Sequence, residues 1–259
     1  QYKRPGRVRV IMAADLDADG RDEIVAGGDN WRYHALDPEG NQLWHYESVH
    51  PSSAGAAADL DGDGRLEVLC GTVYYAWHCA GSDGARRWRY SVKGPHATVA
   101  LSANLDGKDR RAAVFGAEDG NLHVLDSEGK LLWTRSVGDT VTAALALDLN
   151  HDGRDEIVAA SLSFNLVALD GTGNRVWLNN LGDSILALVA ADIDGDGRPE
   201  LVAGCENGQI WAVNQAGQIV AQFHAQAAVT NLATAKRKPG QKPQIIAATR
   251  HGHLIAVQW

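Results

Sequence analysis

Residues 145–161 read LALDLNHDGRDEIVAAS, and four other segments repeat this pattern at a nearly constant spacing. The first acidic or amide residue falls at Asp15, Asp59, Asn104, Asp148 and Asp192, in steps of 44, 45, 44 and 44 residues. A degenerate sixth copy at 231–259 keeps the apolar pattern but not the acidic loop. A fixed period of this length indicates one structural unit per repeat.

Each period predicts four short strands, A to D. Strand A is an apolar run such as Val141–Leu147, and strand B follows the acidic loop. Two-residue turns such as Asp119-Gly120 and Asn207-Gly208 are expected to lead to strand C, because such dipeptides supply positive φ. Strand D is marked by Trp44, Trp88, Trp133, Trp177 and, in repeat 5, Phe223. We expect the tryptophans to pack between adjacent repeats.

Four antiparallel strands per period predict an all-β fold, a six-bladed β-propeller of four-stranded antiparallel blades. A single domain spanning 1–259 is expected. The predicted blades cover approximately 8–47, 52–91, 97–136, 141–180, 185–224 and 227–259. Because repeat 6 ends after strand C, we expect residues 1–4 to pair into the last blade and close the ring.

The composition agrees with many short strands, since 28 glycines accompany a single methionine in 259 residues. No apolar run approaches the roughly 18 to 20 residues of a membrane span, and no apolar signal core is present at the N-terminus. The net charge of −8 is concentrated in four loops, so it indicates little about partners. We expect no nucleic-acid partner.

Four loops between strands A and B carry the pattern Asp-x-Asp/Asn-x-Asp-Gly-x-x-Glu. The sixteen residues are Asp15, Asp17, Asp19, Glu23, Asp59, Asp61, Asp63, Glu67, Asp148, Asn150, Asp152, Glu156, Asp192, Asp194, Asp196 and Glu200. Alternating oxygen ligands, a glycine and a later acid suit Ca²⁺, which takes roughly 6 to 8 oxygens, whereas Mg²⁺ prefers octahedral sites that retain water. The last acid comes earlier than in an EF-hand, and strands instead of helices flank the loop. The pattern predicts about four Ca²⁺ sites, in repeats 1, 2, 4 and 5; the alternative is a solvated acidic turn.

Repeat 3 departs from the loop pattern. It has Asn104, Asp106 and Lys108, followed by Ala112 where the glutamate should stand. We expect this site to bind no cation and the Lys108 ammonium to neutralise the remaining acid. Repeat 6 replaces the whole motif by AKRKPGQKP at 235–243.

The repeats resemble the FG-GAP or VCBS family, which is found in integrin α-subunit propellers and in many bacterial surface proteins. The strand C and D segments, such as ALDPEGNQLW at 35–44, are similar to PQQ-type propeller repeats. The FG-GAP resemblance implies that the loop acids ligate Ca²⁺ and that the protein is secreted, periplasmic or on the cell surface. The PQQ resemblance covers only the blade scaffold, and we expect no PQQ binding.

Two hairpins between strands B and C depart from the repeat, at 29–34 (DNWRYH) and 72–78 (TVYYAWH). The predicted ligand-binding residues are Trp31, Arg32, Tyr33, His50, Tyr74, Tyr75, His96, Asp119, Arg250 and His251. Aromatic rings beside polar groups suit a sugar, because rings stack on its apolar face and polar groups fix its hydroxyls. Three other histidines, His34, His78 and His123, fall within strand C and are expected to be packed or surface residues.

Three functions remain open for this face, which is predicted to lie opposite the acidic loops. The first is a binding module for a glycan or polysaccharide, attached to other domains of a larger protein. The second is a lyase-type enzyme in which His50 or His96 abstracts a proton, Tyr74 or Tyr75 donates one and Arg250 or Lys93 neutralises a uronate. The third is a protein-adhesion or structural domain.

The three cysteines do not form a disulfide framework. If the second hairpin contains a two-residue turn, Cys70 and Cys79 fall opposite each other on adjacent strands. A cross-strand disulfide and two buried thiols are both compatible with that prediction. Cys205 is left unpaired in either case.

Overall fold

The computed structural model describes residues 6–235 and 242–259, and these residues form strands and turns without a helix. The strands make six antiparallel sheets, five of four strands and one of three. Within each sheet, strands that are consecutive in sequence are hydrogen-bonded neighbours. The predicted all-β class and the repeated antiparallel unit are therefore confirmed.

The chain divides into two compact units, the first ending at Ser136 and the second beginning at Val137. In the first unit, sheet 1 comprises β1 (Val8–Ala14), β2 (Glu23–Gly28), β3 (Arg32–Leu36) and β4 (Gln42–Glu47). Sheet 2 comprises β5 (Ser52–Ala58), β6 (Glu67–Thr72), β7 (Ala76–Ala80) and β8 (Arg86–Ser91). Sheet 3 comprises β9 (Ala97–Ala103), β10 (Ala112–Ala117), β11 (Asn121–Leu125) and β12 (Leu131–Ser136).

The second unit contains the other three sheets. Sheet 4 comprises β13 (Val141–Leu147), β14 (Glu156–Ser161), β15 (Asn165–Leu169) and β16 (Arg175–Asn180). Sheet 5 comprises β17 (Ile185–Ala191), β18 (Glu200–Cys205), β19 (Gln209–Val213) and β20 (Ile219–His224). Sheet 6 comprises β21 (Val229–Ala235), β22 (Gln244–Thr249) and β23 (Leu254–Val257). The fourth strand predicted for it, at 1–4, lies outside the described residues.

Within each unit the sheets pack against one another through their first strands. In the first unit β5 contacts β1 and β9, and in the second β17 contacts β13 and β21. The second strand of sheets 2 to 5 is buried along its whole length, as in β6 and β10, because it is an inner strand of its sheet. The fourth strands are largely exposed. Apolar side chains between consecutive sheets form the cores.

Three strand D tryptophans, Trp44, Trp88 and Trp177, connect consecutive sheets, as predicted. The indole Nε1 of Trp44 donates a hydrogen bond to Ser82 O at 2.7 Å, and that of Trp88 donates to Ser127 O at 3.0 Å. The ring of Trp88 lies against Gly129, where an added Cβ would come within 2.6 Å of it. Phe223 lies in β20, the fourth strand of sheet 5, as predicted, but Ala221 occupies the tryptophan position of that sheet.

In sheets 1 to 5 the hairpins between the second and third strands contain three residues, not the predicted two. In sheet 3 Gly120 N donates to Ala117 O at 3.2 Å, and Gly120 has φ 77°. This arrangement is a turn that ends in a left-handed residue. The additional residue shifts the cross-strand register by one position from the predicted register.

This register corrects the predicted placement of the cysteines. Cys70 pairs with His78, and Cys79 pairs with Leu69. Successive strand residues point to opposite faces of a sheet, so the two cysteine side chains project into different cores. Both thiols are buried and free, and the cross-strand disulfide is therefore excluded.

Candidate functional site

The acidic loops are held by hydrogen bonds from their own backbone. In sheet 1 the Asp15 carboxylate accepts the N–H groups of Asp19 at 3.1 Å and Gly20 at 2.9 Å. The first aspartates of the loops in sheets 2, 4 and 5 accept two backbone N–H groups in the same way. The backbone therefore draws each loop around its first carboxylate.

The last acid of each loop is buried. Glu67 is 3% exposed, and its Oε2 accepts the Leu60 N–H at 3.0 Å. Its Oε1 is also buried, and no described residue forms a hydrogen bond with it. Burial, together with the charges of Asp61 and Asp63, raises the pKa of Glu67. A buried carboxylate oxygen without a donor, beside other acids, is a position where a cation would be stabilised.

The structure brings most of the predicted ligand groups together. In each of three loops, three carboxylates have oxygen atoms within 4.8 Å of one another. These groups are Asp15, Asp17 and Asp19; Asp59, Asp61 and Glu67; and Asp192, Asp194 and Glu200. In sheet 4, Asn150 Nδ2 donates instead to Glu156 Oε1 at 3.0 Å. The donor set consists of oxygen atoms throughout, which is the chemistry that Ca²⁺ requires.

In the loop of sheet 3 a lysine side chain supplies the positive charge. Lys108 Nζ lies 3.1 Å from Asp106 Oδ2. Ala112 occupies the glutamate position at the start of β10. The predicted neutralisation of Asp106 by Lys108 is therefore observed. The corresponding segment of repeat 6 falls largely outside the described residues.

The loops also join consecutive sheets of the first unit. The residue after the first aspartate is buried, and its carbonyl accepts an N–H of the next sheet. Leu16 O accepts from Leu66 N at 3.2 Å, and Leu60 O accepts from Arg111 N at 3.1 Å. Because the N–H groups of Leu16 and Leu60 are bound by the loop glutamates, each loop fixes one contact between two sheets.

Five rings at the hairpin end of the first unit form a continuous group, here called the aromatic–histidine surface: Trp31, His50, Tyr74, Tyr75 and His96. The ring of His50 lies 6.4 Å from that of Trp31, 6.0 Å from Tyr74 and 5.5 Å from Tyr75. Tyr74 meets His96 edge to face at 4.9 Å. The exposed fractions are 54% for Trp31, 45% for Tyr74 and 58% for Tyr75. These rings are available to a ligand.

Two of these aromatic residues occupy a backbone position that favours glycine. The third hairpin residue is left-handed in every sheet, and it is glycine in sheets 3, 5 and 6. In sheets 1 and 2 it is Trp31, with φ 62°, and Tyr75, with φ 59°. Sheet 4 has Phe164 there, with φ 70°, which the sequence analysis did not single out. Strained backbone of this kind is concentrated at functional sites.

Replacing Tyr75 by Gly is expected to leave the protein about 1 kcal/mol more stable than replacing it by Ala. Both substitutions remove the ring, but only glycine adopts the left-handed conformation without steric cost. Urea unfolding of the two variants measures the difference. Gly120→Ala, at the same hairpin position, should lower the free energy of unfolding by a similar amount. Equal urea midpoints for the two Tyr75 variants would show that the left-handed backbone at this position is not strained.

A carboxylate absent from the predicted ligand set completes the surface. Glu118 Oε2 lies 3.3 Å from His96 Nδ1, and Glu118 N donates to His96 O at 3.1 Å. Glu118 precedes the predicted Asp119 at the same hairpin tip, and its sequence position alone did not distinguish it. The pair fixes the orientation of the His96 ring.

The other predicted ligand residues are placed differently. Tyr33 is fully buried, and its hydroxyl lies 2.6 Å from Ala54 O, so its prediction as a ligand residue is wrong. Arg32 pairs with Glu47 across β3 and β4.

The remaining predicted ligand residues lie at other hairpin tips. Asp119 accepts the backbone N–H of Asn121. Arg250 and His251 belong to the hairpin of sheet 6, in the second unit, where Arg250 pairs with Glu206.

The strand C histidines pack, as predicted. His34 and His78 are buried, and His123 is partly buried. The ring of His123 lies edge to face against Trp77 at 4.9 Å. His78 and His123 contact side chains of the preceding sheet, whereas His34 forms hydrogen bonds with Asn30 and Gln42 of its own sheet. None of the three belongs to the aromatic–histidine surface.

A family model described as FG-GAP-like repeat matches residues 15–70 and 148–203. Each match begins at the first aspartate of an acidic loop and extends into the following sheet. The chain therefore carries FG-GAP-like repeats, and the resemblance seen in the sequence is confirmed. No curated protein sequence matches the chain.

Several solved structures are similar to the chain. Sqt1 of Saccharomyces cerevisiae has a TM-score of 0.80 at 15% identity, covering 98% of this chain and 72% of its own. BBS1N, solved in complex with ARL6DN, has a TM-score of 0.65 at 13% identity, with 95% and 90% covered. The V. cholerae biofilm matrix protein Bap1 has a TM-score of 0.64 at 21% identity, with 87% and 41% covered. At these identities the likeness shows a propeller-type fold alone.

Among the described residues, no helix is long and apolar enough to cross a membrane.

Proposed function

We propose that the protein is an extracellular, calcium-stabilised six-bladed propeller that binds carbohydrate through the aromatic–histidine surface. One observation carries this proposal. Two aromatic side chains, Trp31 and Tyr75, are held exposed at positions where glycine would be less strained, and both adjoin His50. Exposed rings beside hydrogen-bonding groups suit a sugar, whose apolar face stacks on the rings.

The calcium part of the proposal rests on the loops. Their oxygen donors, and the buried Glu67 Oε1 without a described partner, favour a hard cation. The sixteen predicted residues would hold about four ions, in sheets 1, 2, 4 and 5. The loop of sheet 3 would bind none, because Lys108 supplies its positive charge.

The ring itself is part of the proposal. Six sheets of one repeated topology suit six blades, and the three-stranded sheet 6 leaves room for a fourth strand from residues 1–4. The likeness to Bap1, a biofilm matrix protein, agrees with an extracellular location. The proposed partner is a glycan or polysaccharide, and the domain is proposed to belong to a larger protein.

Binding to a glycan and polysaccharide array in calcium tests this function. A hit should bind without turnover, and Trp31→Ala and Tyr75→Ala should each weaken it at least tenfold, by the roughly 1.4 kcal/mol that a factor of ten represents. Phe164→Ala is the matched control, because it alters an aromatic residue of the same backbone conformation in sheet 4. Equal losses in all three variants, or no hit, would contradict the proposed site.

The His96–Glu118 pair favours a second candidate, the lyase. A histidine oriented by a carboxylate beside a tyrosine is an arrangement suited to a general base. Ultraviolet absorbance of an unsaturated product, lost in His96→Ala or His50→Ala, would establish this activity. Binding of a protein but no glycan would instead indicate adhesion, and BBS1N, which was solved in complex with ARL6DN, shows that a similar fold binds protein.

A further inference from the structure

We infer that calcium binding in the loop of sheet 2 orders the aromatic–histidine surface at the opposite end of the same sheets. This inference rests on the proposed function, because it concerns regulation of that site. The surface is assembled from several chain segments and not from one hairpin. Tyr74 and Tyr75 lie in the hairpin of sheet 2, His96 lies in the connection to sheet 3, and its partner Glu118 lies in the hairpin of sheet 3.

One contact within the surface depends on how sheet 3 sits against sheet 2. The Tyr74–His96 ring contact joins the hairpin of sheet 2 to the segment that enters β9, and the Glu118 N to His96 O hydrogen bond continues the β9–β10 pairing within sheet 3. At the loop end, a backbone bond between the two sheets runs from Arg111 N to Leu60 O. Arg111 is fixed in turn by a hydrogen bond from its Nε to Ser102 Oγ in β9.

Leu60 connects the loop to the interior. Its N–H donates to Glu67 Oε2, and its side chain is fully buried. It belongs to the same core as Ala97 and Ala117, which pair with each other across β9 and β10. These two residues directly follow His96 and directly precede Glu118. One close-packed core thus extends from the loop glutamate to the polar pair on the surface.

The loop glutamate supplies the cation-dependent step. Without a cation, the second oxygen of Glu67 is buried among carboxylates and without a described partner, which costs free energy. A cation bound by Asp59, Asp61 and Glu67 removes that cost and holds the glutamate on Leu60 N. A close-packed protein interior transmits small displacements from one side chain to the next. Fixing Leu60 therefore favours one placement of sheet 3 against sheet 2. Linkage requires a ligand on the surface to tighten calcium binding equally.

Hydrogen exchange with calcium alone as the probe tests the coupling without knowledge of the ligand. Adding calcium to chelator-treated protein should slow exchange of the Glu118 amide by about tenfold, within the usual range of coupling between sites. Glu67→Gln should abolish this slowing. Glu200→Gln is the matched control, because it alters the same loop position in the second unit and should leave the Glu118 response intact.

The outcomes separate the inference from the proposed function. Calcium binding seen by calorimetry without slower exchange at Glu118 would overturn the coupling and leave the calcium sites standing. Retained slowing in Glu67→Gln would overturn it as well. If that variant fails to fold, Asp61→Asn, which alters an exposed member of the same cluster, replaces it. No calcium binding at all would overturn both proposals.

Discussion

Removing calcium with a chelator is expected to lower the free energy of unfolding of each unit by about 5 kcal/mol, because each unit has two intact loops and a site at a hundred times its Kd contributes about 2.7 kcal/mol. Without the ion, three acids share each of three loops within 4.8 Å and repel one another. Urea unfolding in calcium and in chelator, with magnesium as a comparison, measures the loss.

The pKa of the loop glutamates explains why the loss should be large. Burial raises the pKa of Glu67, Glu156 and Glu200, so the folded protein holds each carboxylate charged at a cost when no cation is bound. A bound cation reverses that cost, because it favours the ionised carboxylate. The proposed ions would also secure the sheet contacts made through Leu16 and Leu60.

Sheet 3 provides the control for this prediction. Its loop has Lys108 on Asp106, so Asp106→Asn should leave the stabilisation by calcium unchanged. Asp61→Asn, at the same loop position in sheet 2, should reduce it by the contribution of one site. Unfolding midpoints that are the same in calcium and in chelator would show that the loops bind no structural ion.

The sequence predicted the features that repeat. The acidic loops and the strand D tryptophans recur at a spacing of about 44 residues. Because a chance pattern in one repeat would not recur in the others, this repetition makes the prediction secure. The structure confirms the four-stranded sheets, the tryptophan contacts of Trp44 and Trp88, and the Lys108–Asp106 pair. These features depend on local periodicity and on charge, both of which are visible in a single chain.

The features that were missed depend on register and on packing between sheets. One additional hairpin residue moved Cys79 from a position opposite Cys70 to one opposite Leu69, and a one-residue shift reverses the face of every side chain. Tyr33 belongs to the same divergent hairpin segment as the exposed Trp31, yet its side chain is buried in the core. Glu118 could be recognised only once His96 was placed beside it.

Acidification is expected to remove about 3 kcal/mol of stability between about pH 6.5 and pH 4 through His78 alone, since each pKa unit of difference corresponds to about 1.4 kcal/mol. Burial, with a smaller contribution from the charges of Arg89 and Arg86, lowers the pKa of His78 to about 4. In this window the unfolded chain binds a proton that the folded protein does not, so stability falls as the pH falls. Above about pH 6.5 the contribution is constant.

The contacts of His78 explain why the folded protein resists protonation. Its Nδ1 and the Tyr46 hydroxyl form a hydrogen bond at 2.8 Å. Its Nε2 is buried and has no hydrogen-bond partner among the described residues. A second proton would place a charge in the core opposite Arg89, its cross-strand neighbour. Burial also lowers the pKa of His123, which acts in the same direction.

His78→Gln isolates this contribution, because glutamine does not titrate and its amide oxygen can accept from the Tyr46 hydroxyl. Between pH 7 and pH 4 the variant should lose about 3 kcal/mol less stability than the wild type, measured by urea unfolding in chelator. Loop carboxylates titrate alike in both proteins, so their contribution cancels in the difference. His251→Gln, an exposed histidine of sheet 6, is the control. Parallel stability curves for wild type and His78→Gln would show that protonation of the buried ring does not drive acid unfolding.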